Sequence, residues 1–256
     1  MIIKVCGMRD VDNIRDAGKA GMDWMGMIFW QKSARYVDNP ETAMAIPKGV
    51  KKVGVFVNEI PEKIVKKADI FDLDIIQLHG SEDVDTIREL RQRLHGKTFV
   101  KAISVSQTED IKLTEMYDHE VDYLLFDTKC KSVGGSGKQF EWSMLHNYKG
   151  DTPFLLSGGI GPDDVENIMA FNHPMMAGID LNSKFEVSPG LKDVERLSTF
   201  IAKIKQHKGK KKDYEQDKRT IRQSRQQKAI VAVFLRRMSK TGQYRRSDKD
   251  NGTTGH

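Results

Sequence analysis

The sequence predicts a single (β/α)₈ barrel of the TIM-barrel class, followed by a basic tail. Short apolar segments alternate eight times with amphipathic segments, at a spacing of roughly 25 residues that is typical of parallel strands joined by helical crossovers. The eight units lie within residues 1–206 of the 256-residue chain, a length at which this barrel fits. Closure removes both sheet edges, so we favour a barrel over an open doubly wound sheet, the main competitor.

The eight apolar segments have the composition of strands. They are rich in Val, Ile, Leu, Met and Phe, as parallel strands covered by helices are. We predict strands at residues 2–7, 24–29, 52–57, 75–78, 99–104, 123–127, 154–157 and 175–181.

The segments between the strands place apolar residues on one helical face. We predict helices at residues 10–20, 61–70, 84–94, 110–117, 162–171 and 191–204, with weaker helical patterns at 41–46 and 142–148. Pro162 suits the first position of its helix because that position needs no backbone N–H.

The charge of the chain is unevenly distributed. Residues 207–256 hold 15 Lys and Arg against 5 Asp and Glu, so the net charge of +6 for the whole chain leaves residues 1–206 with −4. This acidic main body gives no sign of nucleic-acid binding, and we expect no such partner. We assign residues 1–206 to the catalytic barrel and 207–256 to a low-complexity tail, whose composition predicts disorder. An extension without a selected function is favoured over a tail that binds nucleic acid or an acidic partner.

Cysteine use and hydropathy indicate the compartment. The chain has two cysteines, Cys6 and Cys130, too few for a domain held together by disulfides, which fits a reducing compartment. The N-terminus lacks the charged start and long apolar stretch of a signal peptide. The longest apolar run of the tail, residues 229–235, is far shorter than the about 20 residues that span a bilayer. We expect a cytoplasmic protein without a membrane partner and favour a monomer.

Polar and glycine residues follow the predicted strands, where a barrel builds its active site at the C-terminal strand ends. The residues in these positions are Cys6, Gly7, Asn58, Gln77, His79, Gly80, Asp127, Thr128, Ser157, Gly158, Gly159, Asp180, Asn182 and Ser183. The sequence therefore predicts one site at this end of the barrel.

Residues 157–164 have the pattern of a strand end, a glycine turn and a helix start. Gly158 and Gly159 allow backbone N–H groups to approach an anion, and a helix N-terminus adds partial positive charge. The loops after strands seven and eight of such barrels frequently bind phosphate, and Asn182 and Ser183 could complete the site. A plain tight turn is the alternative, but the position after strand seven favours a phosphorylated small-molecule substrate.

Cys6 and Asp127 are the candidate base and acid. A buried cysteine at a strand end is usually a small apolar residue, and that is the favoured interpretation of Cys6 taken alone. Asp127 ends an apolar strand, where a carboxylate must face a polar cavity or a partner. Strands one and six place the two groups across the barrel mouth, which suits proton-transfer isomerisation.

Three further features lie in the loops. Arg35, after strand two, could clamp a carboxylate with two hydrogen bonds, although a solvated surface arginine is an equal alternative. His79 is either catalytic or a structural histidine, with the second slightly favoured. Residues 134–138 lack the spacing of a nucleotide-binding loop, and we expect a mobile lid there. No cluster of His, Cys, Asp or Glu has the spacing of metal ligands, so we predict no metal.

Taken together, these motifs resemble the phosphoribosylanthranilate isomerase family. The resemblance covers residues 1 to about 206 in order, and the set is highly specific although each motif alone is weak. The matching segments are Lys4-Val5-Cys6-Gly7-Met8-Arg9, Ser33-Ala34-Arg35-Tyr36-Val37, Val53-Gly54-Val55-Phe56-Val57-Asn58, Gln77-Leu78-His79-Gly80, Leu125-Phe126-Asp127-Thr128, Gly134-Gly135-Ser136-Gly137, Leu156-Ser157-Gly158-Gly159-Ile160, Gly178-Ile179-Asp180-Leu181-Asn182-Ser183 and Pro189-Gly190-Leu191-Lys192-Asp193.

The resemblance implies a (β/α)₈ barrel that acts in tryptophan biosynthesis. It implies conversion of N-(5-phosphoribosyl)anthranilate to 1-(2-carboxyphenylamino)-1-deoxyribulose 5-phosphate by an Amadori rearrangement, without a cofactor. In this interpretation Cys6 is the general base and Asp127 the general acid. The acid then needs a raised pKa and the base a lowered pKa. The resemblance also implies that Arg35 engages the anthranilate group and that Gly158, Gly159, Asn182 and Ser183 bind the phosphate. We add two strand-end residues, His79 and Asp180, to this predicted substrate-binding set.

Two departures from the family pattern and two rival functions remain. Ala34 replaces a proline before the arginine, and Lys184 replaces a glycine after the serine, where it either adds charge near the phosphate or points to solvent.

One rival function is the related isomerase of histidine biosynthesis. It uses aspartates at both the acid and the base position, so Cys6 argues against it. The other is a non-catalytic binding protein, against which the intact Cys6 and Asp127 argue.

Overall fold

In the computed structural model, residues 1–128 and 142–207 are described, and Met1–Lys205 forms one compact unit. Eight parallel strands close into a barrel, in which each strand pairs with the next along the chain and the eighth pairs with the first. This confirms the predicted (β/α)₈ barrel. The strands are β1 (Ile2–Val5), β2 (Trp24–Ile28), β3 (Lys51–Phe56), β4 (Ile75–Leu78), β5 (Thr98–Val105), β6 (Tyr123–Thr128), β7 (Phe154–Ser157) and β8 (Met176–Leu181).

Helical segments connect the strands. The predicted lid at residues 134–138, Cys130 and the tail from residue 208 onwards lie outside the described residues. The α-helices are α1 (Val11–Gly18), α2 (Glu41–Met44), α3 (Pro61–Ile70), α4 (Val84–Arg93), α5 (Val165–Ala170) and α6 (residues 194–207).

Two predicted α-helices are 3₁₀ helices, namely Thr108–Met116 and Trp142–Asn147. In and just after the first of them the buried residues are Ile111, Thr114 and Tyr117. They are three positions apart, which matches the three residues per turn of a 3₁₀ helix. The sequence pattern located the helical segment correctly, but it predicted an α-helix where the structure has a 3₁₀ helix.

The predicted start of the helix at Pro162 is wrong, because α5 begins at Val165. The Asp164 carboxylate accepts a hydrogen bond from the backbone N–H of Gly161 at 2.7 Å, and the Asp164 N–H donates to the Gly161 carbonyl at 3.2 Å. Residues 161–164 therefore form a separate turn before the helix.

The predicted start of the last helix at Leu191 is also wrong. Leu191–Lys192 form a short strand, β10, that pairs antiparallel with β9 (Glu186–Ser188). The Asn13 side chain of α1 bonds both backbone polar groups of Lys192, at 2.8 and 2.9 Å. These bonds hold the segment extended against α1, and the helix starts at residue 194.

The apolar core has two layers. One lies between the strands and the helices that surround them, and the other fills the inside of the barrel. The inner layer consists of Cys6, Trp24, Val53, Val55, Ile75, Val100, Ala102, Leu125 and Leu155. Within the part of the chain that the structure describes, every helix is too short or too polar to cross a bilayer.

Candidate active site

Cys6 directly follows β1 and is buried at the C-terminal end of the barrel. Its backbone N–H donates to the Leu181 carbonyl at 2.8 Å, which ties it to the end of β8. A side chain on Gly26 of the neighbouring strand would place its Cβ 2.8 Å from the Cys6 sulfur. Glycine at position 26 therefore makes room for the thiol.

A buried ion pair accompanies Cys6 inside the barrel. Lys4 lies two residues earlier on the same inward face of β1, and its Nζ donates to Asp180 Oδ1 at 2.8 Å. The other carboxylate oxygen, Oδ2, accepts from the Ser157 hydroxyl at 3.3 Å. Asp180 therefore commits each of its oxygens to a neighbour within the barrel.

The electrostatic surroundings of Cys6 differ from the sequence-based expectation of a lowered pKa. Burial raises the pKa of the Cys6 thiol, and the Asp180 carboxylate raises it further. The Lys4 and Lys192 cations oppose this effect and do not cancel it. Burial would lower the pKa of Lys4, but Asp180 and the Cys6 thiolate together raise it. In the free protein, desolvation therefore outweighs the cations that stabilise a thiolate.

Asp127 lies near the end of β6, level with Ser104 of β5 and Ser157 of β7. Its Oδ2 lies 3.3 Å from Nε2 of His79, and both side chains are about 30% exposed. The structure thus brings the predicted acid and His79 into contact at the barrel mouth.

His79 lies between Gln77 and Asp127. Gln77 Nε2 lies 2.9 Å from His79 Nδ1, and His79 Nε2 lies 3.3 Å from Asp127 Oδ2. The Gln77 Oε1 atom is buried and has no hydrogen-bond partner among the described residues. His79 is therefore held between Gln77 and the predicted acid.

Arg35 forms a bidentate ion pair with Glu186, the first residue of β9. Its Nε lies 2.8 and 3.0 Å from the two carboxylate oxygens, and Nη2 lies 2.5 Å from Oε2. Lys192 Nζ donates to Glu186 Oε1 at 2.7 Å and to Asn182 Oδ1 at 2.8 Å. Arg35 is therefore anchored, and the surface-arginine alternative is wrong.

The turn after β7 has two consecutive glycines in a left-handed backbone conformation. Gly158 and Gly159 have φ of 86° and 72°, the left-handed region that glycine adopts at little cost. Ser183 is exposed and Asn182 half-buried at the end of β8. The N–H of Gly161 donates to the Asp164 carboxylate at 2.7 Å, so this amide is already engaged within the turn.

Sequence reasoning overlooked the buried charged residues behind the site. Lys4 and Lys101 interrupt apolar strands, and Lys101 pairs with Glu82 at 3.0 Å, with both side chains buried. A lysine within a strand that helices cover is a signal that could have found them. Glu186 and Lys192 carry no such local signal because each lies in a polar connection.

The site can perform general acid–base chemistry on an anionic substrate. It combines a buried thiol, a partly exposed carboxylate across the barrel, an anchored guanidinium and a left-handed glycine turn. Among residues 1–128 and 142–207, no three His, Cys, Asp or Glu side chains are arranged to hold a metal ion.

Comparisons with known proteins agree on one family. The profile of the family described as N-(5′-phosphoribosyl)anthranilate (PRA) isomerase matches residues 3–203. The N-(5′-phosphoribosyl)anthranilate isomerase of Parabacteroides distasonis is 48% identical over 208 residues, which cover 80% of this chain and 93% of that protein.

Solved structures show the same relationship. The phosphoribosyl anthranilate isomerase from Thermotoga maritima is 34% identical with a TM-score of 0.69, over 80% of this chain and 99% of that one. A phosphoribosyl anthranilate isomerase in complex with reduced 1-(o-carboxyphenylamino)-1-deoxyribulose 5-phosphate is 31% identical with a TM-score of 0.67, over 80% and 99%. On the family profile and these identities, the chain belongs to the N-(5′-phosphoribosyl)anthranilate isomerase family.

Proposed function

We propose that the chain isomerises N-(5′-phosphoribosyl)anthranilate to 1-(2-carboxyphenylamino)-1-deoxyribulose 5-phosphate, a step of tryptophan biosynthesis, without a cofactor. The observation that carries the proposal is the placement of Cys6 and Asp127 at the ends of β1 and β6 in a barrel of this family. One relative was solved with a reduced form of the same product bound. The substrate is a phosphorylated small molecule.

Asp127 is the proposed general acid. In its protonated form it donates to the ring oxygen of the ribose, and the ring opens to a Schiff base. His79 Nε2 lies 3.3 Å from Oδ2 of this carboxyl group. His79 in this scheme orients the acid.

Cys6 is the proposed general base. As the thiolate it removes the proton from C2 of the open-chain sugar, and the resulting enolamine tautomerises to the ketone. Burial disfavours the thiolate, and the Lys4 ammonium, with a smaller effect from Lys192, stabilises it. Asp180 accepts a hydrogen bond from Lys4 Nζ at 2.8 Å and so positions the cation that stabilises the thiolate. We assign this positioning role to Asp180 in place of direct substrate contact.

The substrate is held at its two anionic ends. Backbone N–H groups at Gly158 and Gly159, with Asn182 and Ser183, bind the phosphate. Arg35 binds the anthranilate carboxylate. These contacts place the sugar carbon between the base and the acid, and positioning of this kind accounts for much of enzymatic rate enhancement.

The test is a fluorescence assay that follows the loss of phosphoribosylanthranilate. We expect turnover by the full chain without added metal or cofactor, and equal turnover with a chelator present. A chain that folds and leaves the fluorescence at the uncatalysed rate would refute the proposed function.

We further propose that the protein works in the cytoplasm as a monomer. The support for the compartment is Cys6, a buried cysteine outside any disulfide, which fits a reducing environment. Sedimentation of the purified chain at micromolar concentration tests the oligomeric state, and a stable dimer would contradict it.

A further inference from the structure

Glu186 occupies one particular edge of the Arg35 guanidinium. A guanidinium offers two edges for bidentate contact with a carboxylate, one formed by Nε and Nη2 and the other by Nη1 and Nη2. Glu186 takes the first edge with three contacts of 2.5 to 3.0 Å. Within the described residues Nη1 makes no hydrogen bond, so the second edge is the one left for a ligand.

Glu186 is itself held rigidly. Its side chain is only 4% exposed, and it accepts from Lys192 Nζ at 2.7 Å and from the backbone N–H of Gly190 at 3.2 Å. Lys192 in turn bonds the Asn182 side chain. The carboxylate that anchors Arg35 thus has fixed partners on the β9–β10 hairpin.

Arg35 lies over the barrel mouth beside the proposed base. A Cβ added to Gly7 would lie 2.6 Å from Arg35 Cδ and 2.7 Å from Asn182 Oδ1. Gly7 has φ of 76° and directly follows Cys6. The guanidinium therefore packs against the backbone next to the thiol, where the arylamine end of a substrate would lie.

We propose that Glu186 is the positioning residue for Arg35: it occupies the Nε–Nη2 edge and so presents the Nη1–Nη2 edge to the substrate carboxylate. The inference rests on the proposed function, in which Arg35 binds that carboxylate. Two cations and one carboxylate give the Arg35–Glu186–Lys192 cluster a net charge of +1, which one further carboxylate neutralises. Glu186 thereby sets the selectivity of the site for an arylamine that bears a carboxylate.

The experiment compares two ligands on the full chain by calorimetry. One is reduced 1-(o-carboxyphenylamino)-1-deoxyribulose 5-phosphate, and the other is the same molecule with a phenyl ring that lacks the carboxylate. We define the carboxylate factor as the Kd of the ligand without the carboxylate divided by the Kd of the ligand that bears it. For the parent chain we expect a factor of at least about 10, as for a hydrogen-bonded charge pair.

In Glu186→Gln the carboxylate factor should fall by about three- to tenfold, the range expected when a long side chain must be ordered on binding. Glutamine offers one acceptor oxygen and an NH₂ group that Arg35 cannot use, so the bidentate anchor is lost while the volume is kept. A merely structural role would weaken both ligands equally. An unchanged or larger factor in the folded variant would overturn the proposal.

Two more variants keep the test decisive. If Glu186→Gln fails to fold because Lys192 is left unpaired, the double variant Glu186→Gln/Lys192→Met removes both charges and should show the same lowered factor. Glu82→Gln breaks a different buried pair, the one with Lys101, and should leave the factor at the parental value. An equal fall of the carboxylate factor in Glu82→Gln would show that loss of any buried ion pair has this effect, and it would overturn the proposal.

The parent chain separates this inference from the proposed function. A parent that turns over substrate and has a factor near 1 overturns the inference alone, since Arg35 then does not bind the carboxylate. A parent without turnover overturns the proposed function and the inference with it.

Discussion

Lys4 and Asp180 form an ion pair inside the barrel, with Nζ and Oδ1 2.8 Å apart and side chains only 1% and 6% exposed. The Lys4 ammonium also lowers the pKa of the Cys6 thiol, against the effect of burial. The pair is therefore in a position to control how much of the proposed base is ionised.

Lys4→Met should shift the thiolate limb of the pH profile to higher pH. Removal of this cation leaves only Lys192 to oppose the effect of burial, so the Cys6 pKa rises further and less thiolate is present at neutral pH. A shift of one pH unit lowers kcat/KM there by about tenfold. The measurement is kcat/KM against pH, which reports the free enzyme.

Two controls accompany that variant. Lys4→Met/Asp180→Asn avoids an unpaired buried carboxylate and should show a shift in the same direction. Lys101→Met removes a different buried cation and should leave the limb where it is in the parent. If the Lys4→Met profile overlays the parental profile, Lys4 does not act on the base.

Cys6→Ser should lower kcat by at least about a hundredfold, because a hydroxyl ionises far less readily than a thiol and general bases typically contribute about 10²–10⁴-fold. KM should change much less. Since burial raises the thiol pKa, kcat/KM of the parent should climb with pH through the neutral range. Turnover by Cys6→Ser at the parental rate would make Cys6 a packing residue.

Asp127→Asn should also lower kcat by at least about a hundredfold, since the amide keeps the shape of the side chain and has no acidic proton to transfer. The limb of the pH profile that reports loss of the Asp127 proton should disappear. Asp118→Asn, a substitution of a carboxylate in the turn before β6, serves as the control and should retain kcat. A near-parental kcat for Asp127→Asn would show that Asp127 is not the general acid.

Gly159→Val tests the phosphate site. A β-branched residue at φ of 72° is strained and crowds an approaching anion. We expect a strong rise in KM, and competition by inorganic phosphate in the parent that weakens in the variant. An unaltered KM in steady-state kinetics would show that the phosphate does not bind at this turn.

Deletion of residues 210–256 should leave folding and turnover nearly intact, because Met1–Lys205 is compact by itself and the tail lacks a periodic apolar face. Thermal melting and the turnover assay compare the truncated and full chains. Loss of soluble protein or of activity would show that the tail belongs to the domain.

The amino-acid sequence by itself determined the barrel and the positions of its candidate base and acid. Apolar periodicity is a local property, and it located the eight strands and placed Cys6 and Asp127 at strand ends. It misjudged the helix starts at Pro162 and Leu191, because backbone N–H groups there donate to the Asp164 and Asn13 side chains, and these bonds outweigh helical periodicity.

Only the tertiary structure decided the electrostatics of the site. The partner of Arg35 is 151 positions away in the chain, and that of Lys4 is 176 positions away. A pKa depends on burial and on charges within a few ångströms in space, and no local pattern shows which of the 36 acidic residues a cation will meet. For this reason the raised pKa of Cys6 and the anchoring of Arg35 by Glu186 followed from the closed barrel and not from the motifs.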